Sequence, residues 1–457
     1  MRRITLLVCA ISLLAGTAQA ELRAGAARVD ITPPADAALP MSGYGSRTAG
    51  FQGIHDHIYV RAIVLDDGTT QAALVAWELI FVPDQVWAEV SERIASEAGI
   101  RPEHLLLAAV HDHGAPSVAA AGGHAAANTV AYTKTVEDAA VEAVRRAKAQ
   151  LQPARFGIGT GTASINVNRR EPGPRGWWLG YNENGPSDKT VTVLRFEDLA
   201  GKPIAFLINY AVHAVVMGPG NYAITGDLAG ATSRFVEQHY FGQDHPRSDG
   251  GPRMQLRPRE RATGDGAGAG AGVGAGAADG VVALWTSGAA GDQNPVSMEN
   301  GDDFTLVNAL GRILGEEAVR IAGSIKTAPE ARIRGEQLVA TCPGRRVEPG
   351  PTPRADYRFS DADPVPIRLR LLTIDRVALA GVSGEVFTLI AQRLKKESPF
   401  THTVMLTHTN GSSGYIPNDA AFDPVSYEVT ASRLKPGCAE DAIVNGFLDL
   451  MRRAGDK

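Results

Sequence analysis

Apolar runs with the length of buried strands alternate with segments of helical periodicity along most of this chain. Residues 71–82 are apolar enough for a strand buried on both faces, and 204–212 form another strand candidate. Residues 84–98 and 132–150 have helical periodicity, with Asp84 as a candidate N-cap. The other strand candidates are 58–65, 104–110, 190–196, 281–286, 367–374 and 377–381, and the other helix candidates are 228–239, 306–325, 386–396 and 440–453. This alternation predicts an α/β fold, or mixed α+β layers, with mixed sheets flanked by helices.

The first twenty residues have the pattern of a secretory signal peptide. A basic start at Met1-Arg-Arg precedes a short apolar run, and Ala18-Gln-Ala20 is a small-residue cleavage pattern. The apolar run is too short for a transmembrane helix, and no later stretch is long and apolar enough for one. We therefore expect cleavage after Ala20, export to the periplasm or the extracellular space, and one large domain over residues 21–457.

Residues 242–280 differ in composition from the rest of the chain. A basic, proline-containing stretch is followed there by a Gly/Ala tract that contains a nominal Gly-x-Gly-x-x-Gly match. Such a tract generates this match trivially, and no strand candidate precedes it. The composition predicts a disordered insertion between two core elements.

Charge and cysteine content limit the partners and the chemistry. The chain of 457 residues has a formal net charge of −5, and loss of Arg2 and Arg3 with the signal makes it more acidic. No basic face is evident, so nucleic acid is not expected as a partner. Cys9 leaves with the signal, and Cys342 and Cys438 can form one disulfide or remain two free thiols.

Two histidines follow the strand candidate 104–110 directly. His111 and His113 precede the chain breakers Gly114 and Pro116. Because strand side chains repeat every two residues, both imidazoles point to the same side. Such a pair suits metal binding or acid–base chemistry. The alternative is one surface histidine and one hydrogen-bonded core histidine, and the pair alone leaves both open.

Other strands in this chain also end at polar residues. His213 ends the strand 204–212, and Glu385 follows the strand 377–381. With His111 and His113 they offer imidazole nitrogens and one carboxylate, which is a zinc-type ligand set with room for a water. Taken singly, His213 is as consistent with a satisfied core histidine, and Glu385 with a carboxylate at a helix N-terminus.

Other catalytic signatures are missing from the sequence. There is no Gly-x-Ser-x-Gly elbow and no His-Glu-x-x-His motif, which argues against an α/β-hydrolase and a zincin. A second His-Asp-His occurs at His55-Asp56-His57, before the first strand. We interpret it as a polar turn, and a metal site is the alternative.

A series of short motifs runs in order along the chain: Ala24–Pro34, Met41–Gly45, Gly53-Ile-His55, His111-Asp-His113-Gly-Ala-Pro116, Asn166-Val-Asn168-Arg169, Ala-Val-His213, Thr225-Gly226-Asp227, Ser383-Gly384-Glu385, Tyr415 and Tyr427-Glu428. Each motif is weak alone, but the ordered set is specific. In these motifs the chain resembles the neutral/alkaline non-lysosomal ceramidases. The resemblance implies a secreted amidohydrolase that cleaves ceramide-like sphingolipids into sphingoid base and fatty acid.

The resemblance also implies roles for individual residues. One zinc ion per chain would be bound by His111, His213, Glu385 and Tyr415. His113 would serve in acid–base chemistry, and Arg169 and Tyr427 would hold the substrate carbonyl and the developing oxyanion. The partners would be a lipid or small-molecule substrate and, transiently, a membrane surface.

Departures from the family pattern concern the substrate side. Asn294 stands where a serine is expected, and Trp177-Trp178 could reshape the substrate entrance. The family's C-terminal β-sandwich is expected to be absent. A different amide or ester substrate, or a non-catalytic binding protein of the same fold, are therefore the alternatives.

Overall fold

The computed structural model describes residues 21–119, 125–244 and 280–455. Its strands are β1 (Arg23–Asp30), β2 (Gly53–Ile54), β3 (Tyr59–Asp66), β4 (Gln71–Trp77), β5 (Leu105–Ala109), β6 (Gln152–Thr162), β7 (Asn166–Gly173), β8 (Gly176–Asn182), β9 (Thr190–Asp198), β10 (Pro203–Tyr210), β11 (Ala223–Ile224), β12 (Val282–Ser287), β13 (Gln293–Pro295), β14 (Ile333–Val347), β15 (Phe359–Ile374), β16 (Val377–Val382), β17 (Glu385–Val386), β18 (His402–Leu406) and β19 (Tyr415–Ile416). Its helices are α1 (Asp84–Ala98), α2 (Ala127–Ala149), α3 (Asp227–Asp244), α4 (Thr305–Ser324), α5 (Thr388–Glu397), α6 (Tyr427–Ala431) and α7 (Ala439–Gly455).

An eight-stranded mixed sheet forms the larger half of the fold. Its strand order is β12-β10-β9-β6-β1-β3-β4-β5. The pairs β10–β12 and β4–β5 are parallel, whereas β3 pairs antiparallel with both β1 and β4. Side chains alternate between two buried faces: Ile63 packs in one hydrophobic cluster with Leu314 of α4, and Val64 packs in the other with Val90 of α1. Helices therefore cover both faces, as the alternation of elements predicts.

A four-stranded sheet with the order β14-β15-β16-β18 packs beside the first. One of its faces packs against α5 and α7, where Ile390 and Phe447 are fully buried. Cys342 of β14 and Cys438, just before α7, form a disulfide, so this pairing rather than two free thiols is what the structure contains. The mixed α/β class expected from the sequence is confirmed.

The element bounds agree with the sequence where periodicity is strong. Helix α1 spans 84–98 as expected, whereas α2 begins five positions before the predicted start at 132. Helix α3 continues to Asp244, three positions into the predicted insertion, and residues 245–279 lie outside the described residues. The predicted signal peptide, 1–20, lies outside them as well.

Three small sheets, β11–β2, β13-β7-β8 and β17–β19, supplement the two large ones. Strand β7 carries Arg169, and β17 pairs in parallel with β19 so that Glu385 lies opposite Tyr415. These short strands bring distant motifs next to the carboxyl ends of the long strands. Among the helices in the described ranges, none has the length and hydropathy needed to cross a membrane.

Candidate metal centre and active site

The two candidate histidine motifs are brought together by a backbone contact between two strand ends. His111 and His113 follow β5, and His213 follows β10. Asp112 forms a parallel bridge with Ala214, and the N–H of His113 donates to the carbonyl of Ala214. The loops after the two strands therefore run side by side, and ligands in α/β folds bind at this kind of strand end.

The hydrogen bonds of His111 and His213 fix their tautomers. Nδ1 of His111 lies 2.8 Å from the carbonyl oxygen of Ile80, and Nδ1 of His213 lies 2.9 Å from that of Gln293. A carbonyl oxygen can only accept, so each Nδ1 carries the proton and each neutral ring leaves a lone pair on Nε2. Both Nε2 atoms lie 3.4 Å from the same carboxylate oxygen, Oε2 of Glu385.

The convergence of two imidazole nitrogens and one carboxylate oxygen is an arrangement that can bind a cation. Oε2 of Glu385 is buried and has no hydrogen-bond partner within the part of the chain that is described. Nε2 of His213 accepts from Nη1 of Arg169, but Oε2 of Glu385 stays buried without a hydrogen bond, and a cation held between the three atoms would compensate its charge. The donor set of two nitrogens and a carboxylate fits zinc. The residues present therefore fit the metal that the resemblance implies.

Tyr415 lies next to this group. It is opposite Glu385 in the β17–β19 pair, and the N–H of Glu385 donates to the carbonyl of Gly414. A Cβ atom at position 384 would lie 2.8 Å from that same carbonyl, so Gly384 permits the close approach. Burial, and then the charge of Glu385, raise the pKa of Tyr415 well above its usual value.

Arg169 connects several of the candidate residues. Its Nε donates to Glu428 at 2.6 Å, its Nη2 to the hydroxyl of Tyr415 at 3.0 Å, and its Nη1 to Nε2 of His213 at 3.0 Å. Nη1 also lies 3.4 Å from Oδ1 of Asn294, so the asparagine at the departure from the family pattern contacts this guanidinium. An ion bound at Nε2 of His213 must displace the hydrogen bond from Nη1.

His113 lies beside the ligand group in a tightly packed environment. Its Nε2 is 3.4 Å from Nε2 of His111, and its ring packs edge-on against Tyr44. A Cβ atom at Gly43, which has a φ of 94°, would lie 2.1 Å from Nδ1 of His113, so the loop can pass there only with glycine. Burial, and then the neighbouring His111, lower the pKa of His113 well below its usual value. This environment therefore favours the neutral imidazole.

The candidate residues open into a cavity of about 280 Å³. Its lining includes His111, His113, Glu385, Tyr415 and Tyr427. Tyr427 is 38% exposed and packs edge-on against Tyr415, with ring centroids 5.7 Å apart, so it lies between the buried group and solvent.

The Trp177-Trp178 pair lies on β8, and neither residue lines the cavity. The N–H of Trp177 donates to the carbonyl of Val425, two residues before Tyr427, and its ring lies over the guanidinium of Arg170. Trp178 is exposed. Trp177 is thus joined to the segment that carries Tyr427, and an effect of the pair on the substrate entrance stays a prediction.

His408 is the residue near the centre that the sequence interpretation missed. It follows β18, lines the cavity, and has a ring nitrogen within 4.8 Å of ligand atoms of His111 and Glu385. The available signal was the same as for the other residues, a strand that ends at a polar side chain. The apolar core of that strand, 404–406, is only three residues long, and this made the signal weak.

The remaining motif residues have structural contacts. His55 stacks on Phe304, and His57 pairs with Asp30 at 2.5 Å. The carboxylate of Asp227 accepts hydrogen bonds from the N–H groups of Val216 and Met217, which fixes the loop behind His213. Neither His55 nor His57 lines the cavity.

The buried histidines make the stability of the metal-free protein sensitive to acid. Burial, and then the guanidinium of Arg169, lower the pKa of His213 to about 3. The unfolded chain takes up this proton below about pH 6.5, whereas the folded chain does not, so stability is complete above that pH and is lost as the pH falls. We expect His213 alone to remove about 2 kcal/mol of unfolding free energy between pH 7 and pH 5.

Urea unfolding of chelator-treated protein at the two pH values measures this loss. His213→Gln should reduce the pH dependence by about that amount. An equal pH dependence in the wild type and His213→Gln would contradict the prediction.

Comparison with known proteins gives concordant matches. The model of the family described as neutral/alkaline non-lysosomal ceramidase, N-terminal, matches residues 22–303. Neutral ceramidase A of Dictyostelium discoideum is 29% identical over 227 residues, which are 47% of this chain and 31% of that protein. The neutral ceramidase of Pseudomonas aeruginosa is 29% identical over 251 residues, 50% of this chain and 36% of that protein. The matched stretch thus spans about a third of these relatives.

Two solved structures share the fold over most of this chain. A structure described as ceramidase complexed with C2 superposes with a TM-score of 0.71 at 19% identity, covering 95% of this chain and 75% of the other. The crystal structure of the neutral ceramidase from Pseudomonas aeruginosa gives 0.70 at 20% identity, with the same coverage.

Proposed function

This chain belongs to the neutral/alkaline non-lysosomal ceramidase family, and from that premise we propose that it is a zinc-dependent amidohydrolase. Its substrate would be the N-acyl amide of a ceramide-like sphingolipid, and its products a sphingoid base and a fatty acid. The observation that carries the proposal is the convergence of the Nε2 atoms of His111 and His213 on the buried, unbonded Oε2 of Glu385.

The metal would be held by His111, His213, Glu385 and Tyr415. Zinc, when bound, supplies a Lewis acid for the amide carbonyl and an activated water as the nucleophile. Burial, and then the charge of Glu385, raise the pKa of Tyr415, so its phenol resists ionisation here. The guanidinium of Arg169, 3.0 Å from the phenol oxygen, favours the ionised form.

The other residues would orient the substrate and move the proton. Arg169 and Tyr427 would donate hydrogen bonds to the carbonyl oxygen as it gains negative charge, a contribution of roughly 3–4 kcal/mol for a well-placed donor. His113 would accept a proton from the attacking water at Nε2. It would pass that proton to the amide nitrogen as the C–N bond breaks, so the amine leaves neutral.

The size of the cavity favours a second candidate substrate class. Its volume of about 280 Å³ is at the lower limit of small-molecule sites, which span roughly 300–1,000 Å³. A cavity of this size can hold the amide but leaves most of two long alkyl chains outside it. The alternative is therefore a shorter N-acyl amide or an ester that uses the same site.

Metal analysis combined with two substrates tests the proposal. The purified protein should contain one zinc per chain and release fatty acid from N-acylsphingosine. Release from short-chain amides alone would favour the second candidate. Protein that is fully active without metal would rule out the mechanism.

Two histidine variants separate the metal ligands from the proton carrier. His113→Gln should retain zinc and lose turnover, whereas His213→Gln should lose both. Loss of zinc from His113→Gln would instead make His113 a ligand.

We also propose that the chain is exported. The support is the basic start, the short apolar run and the Ala18-Gln-Ala20 cleavage pattern. N-terminal sequencing of the protein from the producing cell should begin near Glu21, and an intact Met1 on the mature protein would contradict export by this route.

A further inference from the structure

We infer that His408 is a positioning residue that holds the imidazole of His111 in place, and that it is not itself a metal ligand. The inference rests on the proposed metal site. It concerns a residue that belongs to none of the motifs by which the family resemblance was found. By distance alone His408 would qualify as a ligand, since its ring nitrogen lies within 4.8 Å of ligand atoms of His111 and Glu385.

The orientation of the rings decides against ligation. The rings of His408 and His111 are stacked, with centroids 4.0 Å apart and planes inclined by 13°. An imidazole nitrogen directs its lone pair in the plane of its ring, and zinc lies about 2.0–2.1 Å from a ligand nitrogen. An ion in the plane of one stacked ring is displaced from the plane of the other by nearly the ring separation. One ion therefore cannot lie in both ring planes.

His213 has the orientation that His408 lacks. Its ring is inclined by 78° to that of His111, with centroids 4.5 Å apart. The Nε2 atoms of these two rings approach the same oxygen of Glu385. Steeply inclined rings can direct their lone pairs to one point from different directions, as tetrahedral zinc requires. Of His213 and His408, His213 therefore has the orientation of a ligand.

Stacking on His408 restrains a rotation of the His111 ring that the hydrogen bond of His111 does not prevent. The bond from Nδ1 of His111 to the carbonyl of Ile80 holds one atom of the ring. Rotation of the ring about that N–H···O direction would still move Nε2 away from the ion. Contact with the flat face of His408 opposes this rotation, because turning the ring would separate the two faces or drive them into each other.

The backbone of His408 makes this support rigid. Its N–H donates to the carbonyl of Gly384 at 3.2 Å, and its carbonyl accepts from the N–H of Ala109 at 3.1 Å. It thus bridges the chain beside Glu385 and the end of the strand that leads to His111. Both stacked histidines have left-handed backbones, with φ of 63° at His111 and 54° at His408, a conformation that is uncommon outside glycine.

Phenylalanine and alanine variants of His408 test the inference. Phenylalanine keeps a flat ring face and removes both nitrogens. We expect His408→Phe to bind zinc within about threefold of wild type and His408→Ala to bind it roughly 10- to 100-fold more weakly, as for other residues that support a ligand. Zinc affinity is measured by competition with a chelating dye, and the ligand set by the visible spectrum of the cobalt(II)-substituted protein.

The cobalt spectrum should keep its band positions in His408→Phe, because the ligands are unchanged. His402→Ala, on the same strand, is the matched control and should bind zinc as wild type does. Circular dichroism and thermal unfolding of the metal-free variants identify any variant that fails to fold.

Equal losses of zinc affinity in the folded Phe and Ala variants, with a changed cobalt spectrum, would make His408 a ligand and overturn the inference. Unchanged zinc affinity in His408→Ala would also overturn the inference, because it would show that His111 does not need the support of His408. A wild-type protein that binds no zinc would refute the metal site itself, which is a separate result from any difference among the variants.

Discussion

Replacement of Glu385 by glutamine should abolish zinc binding and amide hydrolysis together. We expect zinc affinity to fall by more than about 100-fold, beyond the 10- to 100-fold typical of residues that only support a ligand. The amide lacks the charge of the carboxylate. Its NH2 group can also donate to the Nε2 lone pairs of His111 and His213, which lie 3.4 Å from Oε2 in the wild type. The glutamine would thus place its own protons where the cation is proposed to bind.

The same substitution should stabilise the metal-free protein. In the wild type, Oε2 of Glu385 is buried without a partner, and an unsatisfied buried polar group costs about 1–3 kcal/mol. Metal-free Glu385→Gln should therefore unfold at a higher urea concentration than the metal-free wild type. Isothermal titration with zinc, together with urea unfolding in the presence of a chelator, measures both effects.

Glu397→Gln is the matched control for this substitution. Glu397 is exposed on α5 and paired with Arg393 at 3.0 Å, so its loss should change neither zinc affinity nor turnover. Retention of wild-type zinc affinity in Glu385→Gln would refute the proposed ligand set. A metal-free variant less stable than the wild type would show that the acceptors do not repel one another as the geometry indicates.

Replacement of Arg169 by methionine should reduce both stability and turnover, and the two losses can be separated. The Arg169–Glu428 pair is almost completely buried, with N···O at 2.6 Å. Removal of one partner from such a pair costs roughly 3–5 kcal/mol, because the charge of Glu428 stays buried and keeps only the more distant contact with Arg170, with N···O at 4.0 Å. Turnover should fall by roughly 100- to 1,000-fold, the usual result of losing one donor to a developing oxyanion.

The double variant Arg169→Met/Glu428→Gln should recover most of the stability and none of the turnover. It removes the buried charge of Glu428 but does not restore the donor. Chemical denaturation and kcat/KM of the wild type, both single variants and the double variant complete the cycle. Recovery of turnover in the double variant would mean that Arg169 acts through the fold alone.

The parts of the fold that were predictable from sequence are those with a strong local pattern. Helix α1 has an apolar face at helical spacing, and its bounds agree with the prediction. Strand β1 has the sequence Arg-Ala-Gly-Ala-Ala-Arg-Val-Asp, without bulky apolar residues until near its end, and it was not predicted. Its pairing with β3 and the packing of α2 on it supply the order that its own composition does not. The long strand β14 was also not predicted. Many of its positions are exposed, so it lacks a continuous apolar run.

The candidate site residues also differ in how far the local sequence identifies them. His111, His213 and Glu385 each follow an apolar strand, so the pattern of strand ends identified them before any family was considered. Tyr415 lies in a Gly/Ser loop with no periodic pattern, and only the resemblance to the family assigned it a role. Its position opposite Glu385 depends on a two-residue parallel pairing, which local sequence does not encode.

The distribution of the candidate ligands over the two large sheets has a consequence for folding. His111 and His213 follow strands of the eight-stranded sheet, whereas Glu385 follows a strand of the four-stranded one. Loop closure over such separations is entropically costly and slow, so these contacts form late. A chain that has completed only the first sheet has the two imidazoles without the carboxylate. High-affinity binding of the proposed ion would thus depend on the docking of both sheets, and a bound ion would oppose their separation.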